Sequence, residues 1–339
     1  MSDGRHALVT GGAGFIGSHL VDALAARGDR VTVVDNLSVG RRDNLTQHAG
    51  NPRVTLHVAD VTDGAAMTAL AKGVDVIYHL ATQCVRLSLF EPELVHRVNS
   101  EGTLRMLGAA AAAGVRRFVY VSSSEAFGSA VTAPMTEDHP RHPTTIYGAT
   151  KLAGEHYAAA FHITHGLDTV TVRPFNTYGP RAHFEGAYGE LIPKFVVRVL
   201  NGKPPIVFGD GEQTRDFTFV EDTVRGLLLA GDSGELSGSD VNIARGEEVS
   251  VNAIARLVLD VCGRPDLQPQ TGPARPADVR RHFADISKAR SVLGFEPRVG
   301  IGEGLRRYVA WFRETFPDPS RLLEQEQPYN WQPLPAGRV

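Results

Sequence analysis

Two cysteines in 339 residues, Cys84 and Cys262, are too few and too far apart for a disulfide framework or a zinc cluster. A reducing compartment follows, and the cytoplasm is the expected location. Charge of one sign is also missing. The 35 basic and 38 acidic residues nearly cancel, so nothing is left over to neutralise a phosphate backbone, and no nucleic-acid partner is expected. Long apolar runs are absent. The longest, around Leu107 to Val115, is alanine-rich and too short to span a bilayer, so no membrane partner is expected. Met1 to Thr10 lacks the apolar stretch of a signal peptide. The pairs His139/His142 and His162/His165 stand three apart without cysteine or carboxylate support, and no metal is expected.

What is present suits a folded protein. Hydrophobic residues make up 42 % and charged residues 22 %, enough to bury a sizeable core and to exclude global disorder. The length fits one large domain or two modest ones. The first half alternates strand-like and helix-like segments. Strands are expected at His6–Thr10, Arg30–Asp35, Val54–Asp60, Val74–Ala81, Arg116–Ser122 and Thr169–Phe175, most of them continuous Val, Ile and Leu runs. Such runs belong to strands covered on both faces. Helical patterns lie between them, at Ser18–Arg27, Glu93–Ala113 and Lys151–His165. This alternation predicts an α/β fold, a doubly wound parallel sheet of the Rossmann kind. A short strand at Ile206–Phe208 and a helix at Glu221–Ala230 are expected to return to that sheet. Helices near Val251–Val261 and Gly302–Glu314 suggest a second, smaller C-terminal substrate domain. The expected division is 1–178 plus 206–243 for the domain of the parallel sheet and 179–205 plus 244–315 for the smaller domain, with 316–339 a loosely ordered tail.

The chemistry begins at Thr10-Gly11-Gly12-Ala13-Gly14-Phe15-Ile16-Gly17, which follows a predicted strand and opens a helix. Glycines there let the backbone turn tightly and approach a pyrophosphate at the positive end of the helix. Asp35 ends the next strand where a carboxylate grips an adenosine ribose, and it would repel a 2′-phosphate. NAD is therefore expected over NADP, although Arg41 and Arg42 follow closely. Asp60, ending the third strand, is placed to reach the adenine. A glycine turn of purely structural purpose is the alternative.

Tyr147-Gly148-Ala149-Thr150-Lys151 sets tyrosine and lysine one helical turn apart, on one face. A free tyrosine, with a pKa of ~10, is a poor base at neutral pH. A neighbouring ammonium and a nicotinamide cation favour the phenolate. Ser122, Ser123 and Ser124 end the fifth strand, at the carboxyl edge where open α/β sheets bind ligands, and a hydroxyl there can share a substrate proton with Tyr147. Alone, the Tyr/Lys pair also fits an ordinary amphipathic surface.

Together these segments resemble the extended branch of the short-chain dehydrogenase/reductase family, the nucleotide-sugar epimerases and dehydratases. The marks are TGGAGFIG, DNLS at Asp35, HLAT at His79, SSSEAFG at Ser122, YGATK at Tyr147, RPFNTYGPR at Arg173 and GDGEQTRDFTFVEDTVRG at Gly209, and the similarity runs from about Ala7 to about Trp311. The resemblance implies that Gly11, Gly14, Phe15, Ile16 and Gly17 hold the pyrophosphate of NAD. It gives Asp35 and Asn36 to the ribose, Asp60 and Val61 to the adenine, and Leu80 and Ala81 to the cofactor channel. It makes Tyr147 the base, Lys151 the residue that orients the nicotinamide ribose, and Ser123 the hydroxyl partner. Asn176 and Arg215 resemble residues that clamp a sugar-nucleotide diphosphate, and Arg275 and Asp278 match a second arm that closes on it. Leu191-Ile192-Pro193-Lys194 and Val207-Phe208 wall the base. Cys84 and Arg86 help shape the sugar pocket. A homodimer, joined through the helices at Glu93–Ala113 and Lys151–His165, is implied as well.

The family's enzymes begin alike, by oxidising the sugar at C4. The 4-ketone then leads to 4-epimerisation, to decarboxylation of a glucuronate, or to 4,6-dehydration. Glu125 favours the last, because elimination needs a carboxylate beside the acidified C5–H bond. Simple 4-epimerases of the family carry a small residue there. Ser124 departs from the Asp that many dehydratases place before the Glu to protonate the departing hydroxyl, as it does in guanosine-linked mannose dehydratases and some uridine-linked ones. Phe127 replaces the commoner Tyr, and VRRHFADISKA looks more like the epimerases. UDP-sugar 4-epimerase and UDP-glucuronate decarboxylase thus remain alternatives. A net oxidoreductase and a non-catalytic NAD-sensing protein are the more distant ones.

Overall fold

In the strand His6–Thr10, Ala7 and Val9 enter one apolar cluster while Leu8 enters another. The same division by alternation recurs along the sheet, which is why its strands read as unbroken hydrophobic runs. The computed structural model describes residues 4–276 and 278–332. Its main sheet holds β1 (His6–Thr10), β2 (Arg30–Asp35), β3 (Val54–Val58), β4 (Val76–His79), β5 (Arg117–Val121), β6 (Thr169–Pro174) and β7 (Ser239–Ile243). Their spatial order is β3-β2-β1-β4-β5-β6-β7 and every pairing is parallel. The order reverses between β1 and β4, the switch point where such sheets bind ligands.

One face carries α1 (Phe15–Ala26) and α7 (Val220–Asp232), with Leu20, Val21, Leu24, Val224 and Leu227 buried against it. The other carries α2 (Gly64–Leu70), α4 (Gly102–Ala113) and α5 (Ile146–His165), through Met67, Met106, Leu107 and Ala158. The helix expected over Glu93–Ala113 is interrupted. A short α3 (Pro92–His96) passes through a π-turn at Arg97–Glu101 before α4 begins. That turn places Asn99, whose side chain accepts from the Gln83 amide at 2.7 Å and donates to Thr150 at 3.2 Å. It thereby ties the loop after β4 to α5, a functional use of a π-turn.

A second apolar cluster is built from α6 (Leu191–Leu200), α8 (Val251–Cys262), α9 (Ile301–Thr315) and Val207, Phe217 and Phe219. This arrangement corrects two sequence expectations. Ile206–Phe208 does not return to the main sheet; it pairs in parallel with Gln270–Gly272, and the strand that does return is β7. Three residues were too short to reveal which sheet they join. The stretch 316–332, expected to be loose, is packed: Pro319–Gln325 forms a 3-10 helix, and Leu322 is buried in the second cluster. Its polar composition concealed a few well-placed apolar residues. Residues 333–339 of the same expectation lie outside the described residues.

Arg173 on β6 is a buried ion-pair centre, 1 % exposed. It donates to both Glu155 oxygens at 2.7 Å and to Asp240 at 2.6 Å. Removing one partner of a buried pair strands the other charge. Glu155→Leu is expected to lower unfolding stability by about 3–5 kcal/mol in urea titration; a loss under ~1 kcal/mol would show the pair to be dispensable.

Candidate active site

The glycine loop closes on itself before α1 begins. Gly11 has φ +67°, and a Cβ on Gly17 would lie 2.1 Å from the Gly11 carbonyl oxygen. No side chain caps α1, so its first-turn amides lack partners within the helix. Gly11, Gly14, Phe15, Ile16 and Gly17 all line one long cavity. This is a cradle that a single methyl group would fill, and it suits a pyrophosphate.

Asp35 ends β2 on the same cavity. It accepts from the Ala13 amide at 3.0 Å and the Leu37 amide at 2.9 Å, leaving further lone pairs free. Burial pushes its carboxyl up, and those two amides pull it back. Asn36 donates to Asp60 at 2.8 Å. Burial opposes ionisation of Asp60, but the Thr62 hydroxyl and amide outweigh it and hold the carboxyl below its ordinary value. Val61, Leu80 and Ala81 complete this end. Arg41 pairs with Glu185 at 2.5 Å, so one of the two cations that could welcome a 2′-phosphate is already engaged. Residues of the dinucleotide fingerprint are thus together, and they fit NAD.

At the centre, α5 brings Tyr147 and Lys151 to the same cavity as Ser123 and Glu125. The three serines divide their work. Ser122 donates to Glu155 at 2.5 Å and is spent. Ser123 accepts from the Glu125 amide at 3.2 Å and caps the 3-10 turn Ser124–Ala126 that carries Glu125. The Ser124 carbonyl accepts from His282 at 3.0 Å. His282 is kept neutral, its pKa lowered to about 3 mainly by burial and then by Arg215.

Lys151 is 3 % exposed and donates to the Val121 carbonyl at 2.9 Å. Burial lowers its pKa to about 7, against Glu155. The expectation that this ammonium lowers the tyrosine needs correction for the chain by itself. Burial pushes the Tyr147 phenol above its ordinary value; the Ser123 hydroxyl works against that, Glu125 and Cys84 add to it, and Arg86 opposes. A cation arriving beside the ring is what the phenolate requires.

The far end holds the residues expected to clamp a diphosphate. Arg215 donates to Asp278 at 2.6 Å and to the Val279 carbonyl at 2.6 Å; Arg275 donates to the same Asp278 oxygen at 2.5 Å. One carboxylate therefore steers two guanidinium groups from distant segments. Glu125 faces this cluster. Burial raises its carboxyl, Arg215 and Arg275 lower it, Asp278 raises it and Arg86 lowers it, leaving it above the ordinary value. Such a group holds a proton more readily than a surface glutamate. Arg86 donates to the carbonyls of Ala187 and Tyr188 at 2.8 and 2.7 Å, fixing the loop before α6, and Asn176 also lines the cavity.

Val207 is a correction. It is buried in the second apolar cluster, while its neighbours Ile206 and Phe208 line the cavity, as strand alternation requires. Lys194 lines the cavity too, but its ammonium donates to the carbonyls of Gln327 and Pro328 at 2.9 Å each. Burial lowers its pKa to about 8. Sequence reasoning missed Gln83, Tyr188, Glu190 and the tail residues Pro328, Asn330 and Trp331, all of which line the cavity. The pair Tyr329 and Trp331, two aromatics in a polar tail, was the available signal. Of the paired histidines, His139 and His162 are engaged with backbone groups.

The family description GDP-mannose 4,6 dehydratase matches residues 8–308. The chain is similar to a UDP-glucose 4-epimerase of Mycolicibacterium smegmatis, 38 % identical over 90 % of this chain and 98 % of that one. It is also similar to a dTDP-glucose 4,6-dehydratase of an Actinoplanes species, 37 % identical over 90 % and 97 %. UDP-glucuronic acid decarboxylase 1 of Arabidopsis thaliana is 35 % identical over 94 % and 71 %. The dTDP-glucose 4,6-dehydratase of Streptomyces venezuelae, solved with NAD bound, superposes with a TM-score of 0.87 at 34 % identity, over 92 % of this chain and 98 % of that one. No helix among the described residues is long and apolar enough to cross a membrane. With the glycine cradle, the tyrosine–lysine helix and the parallel sheet already in place, these likenesses establish that the chain is an enzyme of the GDP-mannose 4,6-dehydratase family, within the extended short-chain dehydrogenases/reductases.

Proposed function

We propose that the protein is an NAD-dependent 4,6-dehydratase acting on a nucleoside-diphosphate hexose. The observation that carries this reading is Glu125, a carboxylate raised by burial and held beside Tyr147, Arg215 and Arg275 in one cavity. NAD, held by Gly11, Gly14, Phe15, Ile16, Gly17, Asp35, Asn36, Asp60 and Val61, supplies the acceptor for the C4 hydride and its return to C6.

Tyr147 takes the C4 hydroxyl proton, with the Ser123 hydroxyl as its partner. Lys151 orients the nicotinamide ribose from its site against the Val121 carbonyl. Arg215 and Arg275 hold the diphosphate, a task that suits guanidinium forks. The ketone at C4 acidifies C5–H, Glu125 takes that proton, and the C6 hydroxide departs. The proton gained at Tyr147 balances the one that leaves with hydroxide as water, relayed by Ser124. Glu125 later returns its proton to C5. UDP-sugar 4-epimerisation is the second reading; it is favoured by the segment VRRHFADISKA, residues 279–289, which looks more like that of the 4-epimerases.

Incubation with thymidine-, uridine- and guanosine-linked hexoses, followed by mass spectrometry, tests the reaction. A loss of 18 mass units is expected; unchanged mass with an altered C4 proton signal would establish the epimerase. Glu125→Gln is expected to cut dehydration by roughly 10²–10⁴-fold while C4 oxidation, seen as transient reduced-nicotinamide absorbance, persists. Tyr147→Phe removes both.

Lys151 gives a pH prediction. Its folded pKa, about 7, lies below its unfolded value of 10.5. The unfolded state therefore binds more protons between those values, and stability rises with pH across that window. The cost of burying the ammonium is full below pH ~7 and falls away above it. Lys151→Met is expected to abolish turnover while raising the melting temperature of the cofactor-free protein more at pH 6 than at pH 9. An equal shift at both values would contradict the assignment.

A homodimer through α4 and α5 belongs to the same proposal. Leu104 on α4, 45 % exposed, and Ile163 on α5, 80 % exposed, lie on those helices. Light scattering is expected to give twice the chain mass at micromolar concentration, and a monomer mass would refute it.

A further inference from the structure

The segment 326–331 is built into the wall of the cavity. Arg198 pairs with Glu326 at 2.9 Å, with both side chains about one-tenth exposed (11 % and 9 %). The Lys194 ammonium donates to the Gln327 and Pro328 carbonyls, and the Asn330 amide donates to the Gly189 carbonyl at 2.7 Å. Trp331, 7 % exposed, meets Phe208 edge-on with ring centroids 4.6 Å apart, and Tyr329 lies 5.8 Å from Phe208 and 5.6 Å from Trp331. Every anchor lies on α6, on the loop before it, or on the strand Ile206–Phe208. Glu326, Pro328, Asn330 and Trp331 all line the cavity.

This segment lies beyond the part of the chain that the family model matches. The family match ends at residue 308, and 90 % of this chain accounts for 98 % of the Mycolicibacterium epimerase. One ion pair and one ammonium shared by two carbonyls hold the strap against the conformational entropy it would gain by release, and they fix its side chains at one end of the cavity. That end is rich in aromatic surface and contains cations at the side toward Arg275. Aromatic faces bind nucleobases by stacking, and their spacing limits ring size.

We propose that residues 326–331 form a specificity strap for the base of the nucleoside diphosphate, with Trp331 and Phe208 as the aromatic corner that receives it and Lys194 and Arg198 as positioning residues that hold the strap. The proposal rests on the nucleotide-sugar reading above. The strap sets affinity and discrimination among bases, while the chemistry at Tyr147 proceeds beyond it.

Calorimetry with UDP, TDP and GDP, on the full chain, on a truncation after Gln325 and on full-length Trp331→Ala, tests it. The truncation is expected to weaken the tightest-bound nucleotide about tenfold or more, the size of a lost aromatic–base contact, and to narrow the spread among the three. Trp331→Ala is expected to move both quantities in the same direction by a smaller factor, and it stands alone should the truncation unfold. NAD affinity is expected to stay unchanged in both variants. Wild-type dissociation constants and an unchanged spread in the folded variants would overturn the strap, as would tighter binding, which would mark the tail as a competitor for the site. A full-length protein that binds none of the three nucleotides would overturn the nucleotide-sugar reading and the strap together.

Discussion

The site depends on how closely α5 approaches the carboxyl end of β5. Glu155 does most of this work. Its carboxylate takes the Arg173 guanidinium from β6 and the Ser122 hydroxyl from the end of β5, so one helical side chain bonds to groups from two adjacent strands. Lys151 lies one turn earlier and reaches the Val121 carbonyl; Tyr147 lies one turn before that. At Gly148 the approach is so near that a Cβ would lie 2.4 Å from the Glu125 carbonyl oxygen. Helix, strand end and the turn Ser124–Ala126 are therefore packed as one unit, and the relative positions of Tyr147, Ser123 and Glu125 follow from that packing.

Electrostatics then separates the roles of groups that share a cavity. Burial works on all of them, in opposite directions by charge type: it raises Tyr147 and Glu125 and lowers Lys151. Asp278 pairs with both guanidinium groups, Arg215 and Arg275, that lower the Glu125 carboxyl, and it raises that carboxyl itself. Glu125 therefore keeps a high affinity for a proton beside two cations. The balance is one of desolvation against incomplete charge pairing, and desolvation prevails.

The second apolar cluster serves the site from outside the sheet. It carries α6 and the strand Ile206–Phe208 to the end of the cavity opposite the glycine cradle, and it anchors the tail through Leu322. The substrate end is thus made of chain segments separated by more than a hundred residues, as in the Lys194 contacts with Gln327 and Pro328. Its shape depends on packing between those segments, whereas the cofactor end is formed by successive strand ends and one loop.

That difference explains what was legible. The glycine loop, Asp35 and the Tyr147–Lys151 turn are local patterns, whose geometry follows from backbone sterics and helical period, so the sequence by itself determined the parallel sheet and its cofactor end. Strand alternation was equally local, yet it gives a side chain's direction only once the strand's partner is known; Phe208 lines the cavity as expected, whereas Val207 turns into the second apolar cluster. The division of labour among Ser122, Ser123 and Ser124, the upward shift of the Tyr147 phenol and the packing of residues 316–332 were decided only by the tertiary structure. Each depends on burial and on contacts between distant segments, and neither quantity is carried by residue order alone.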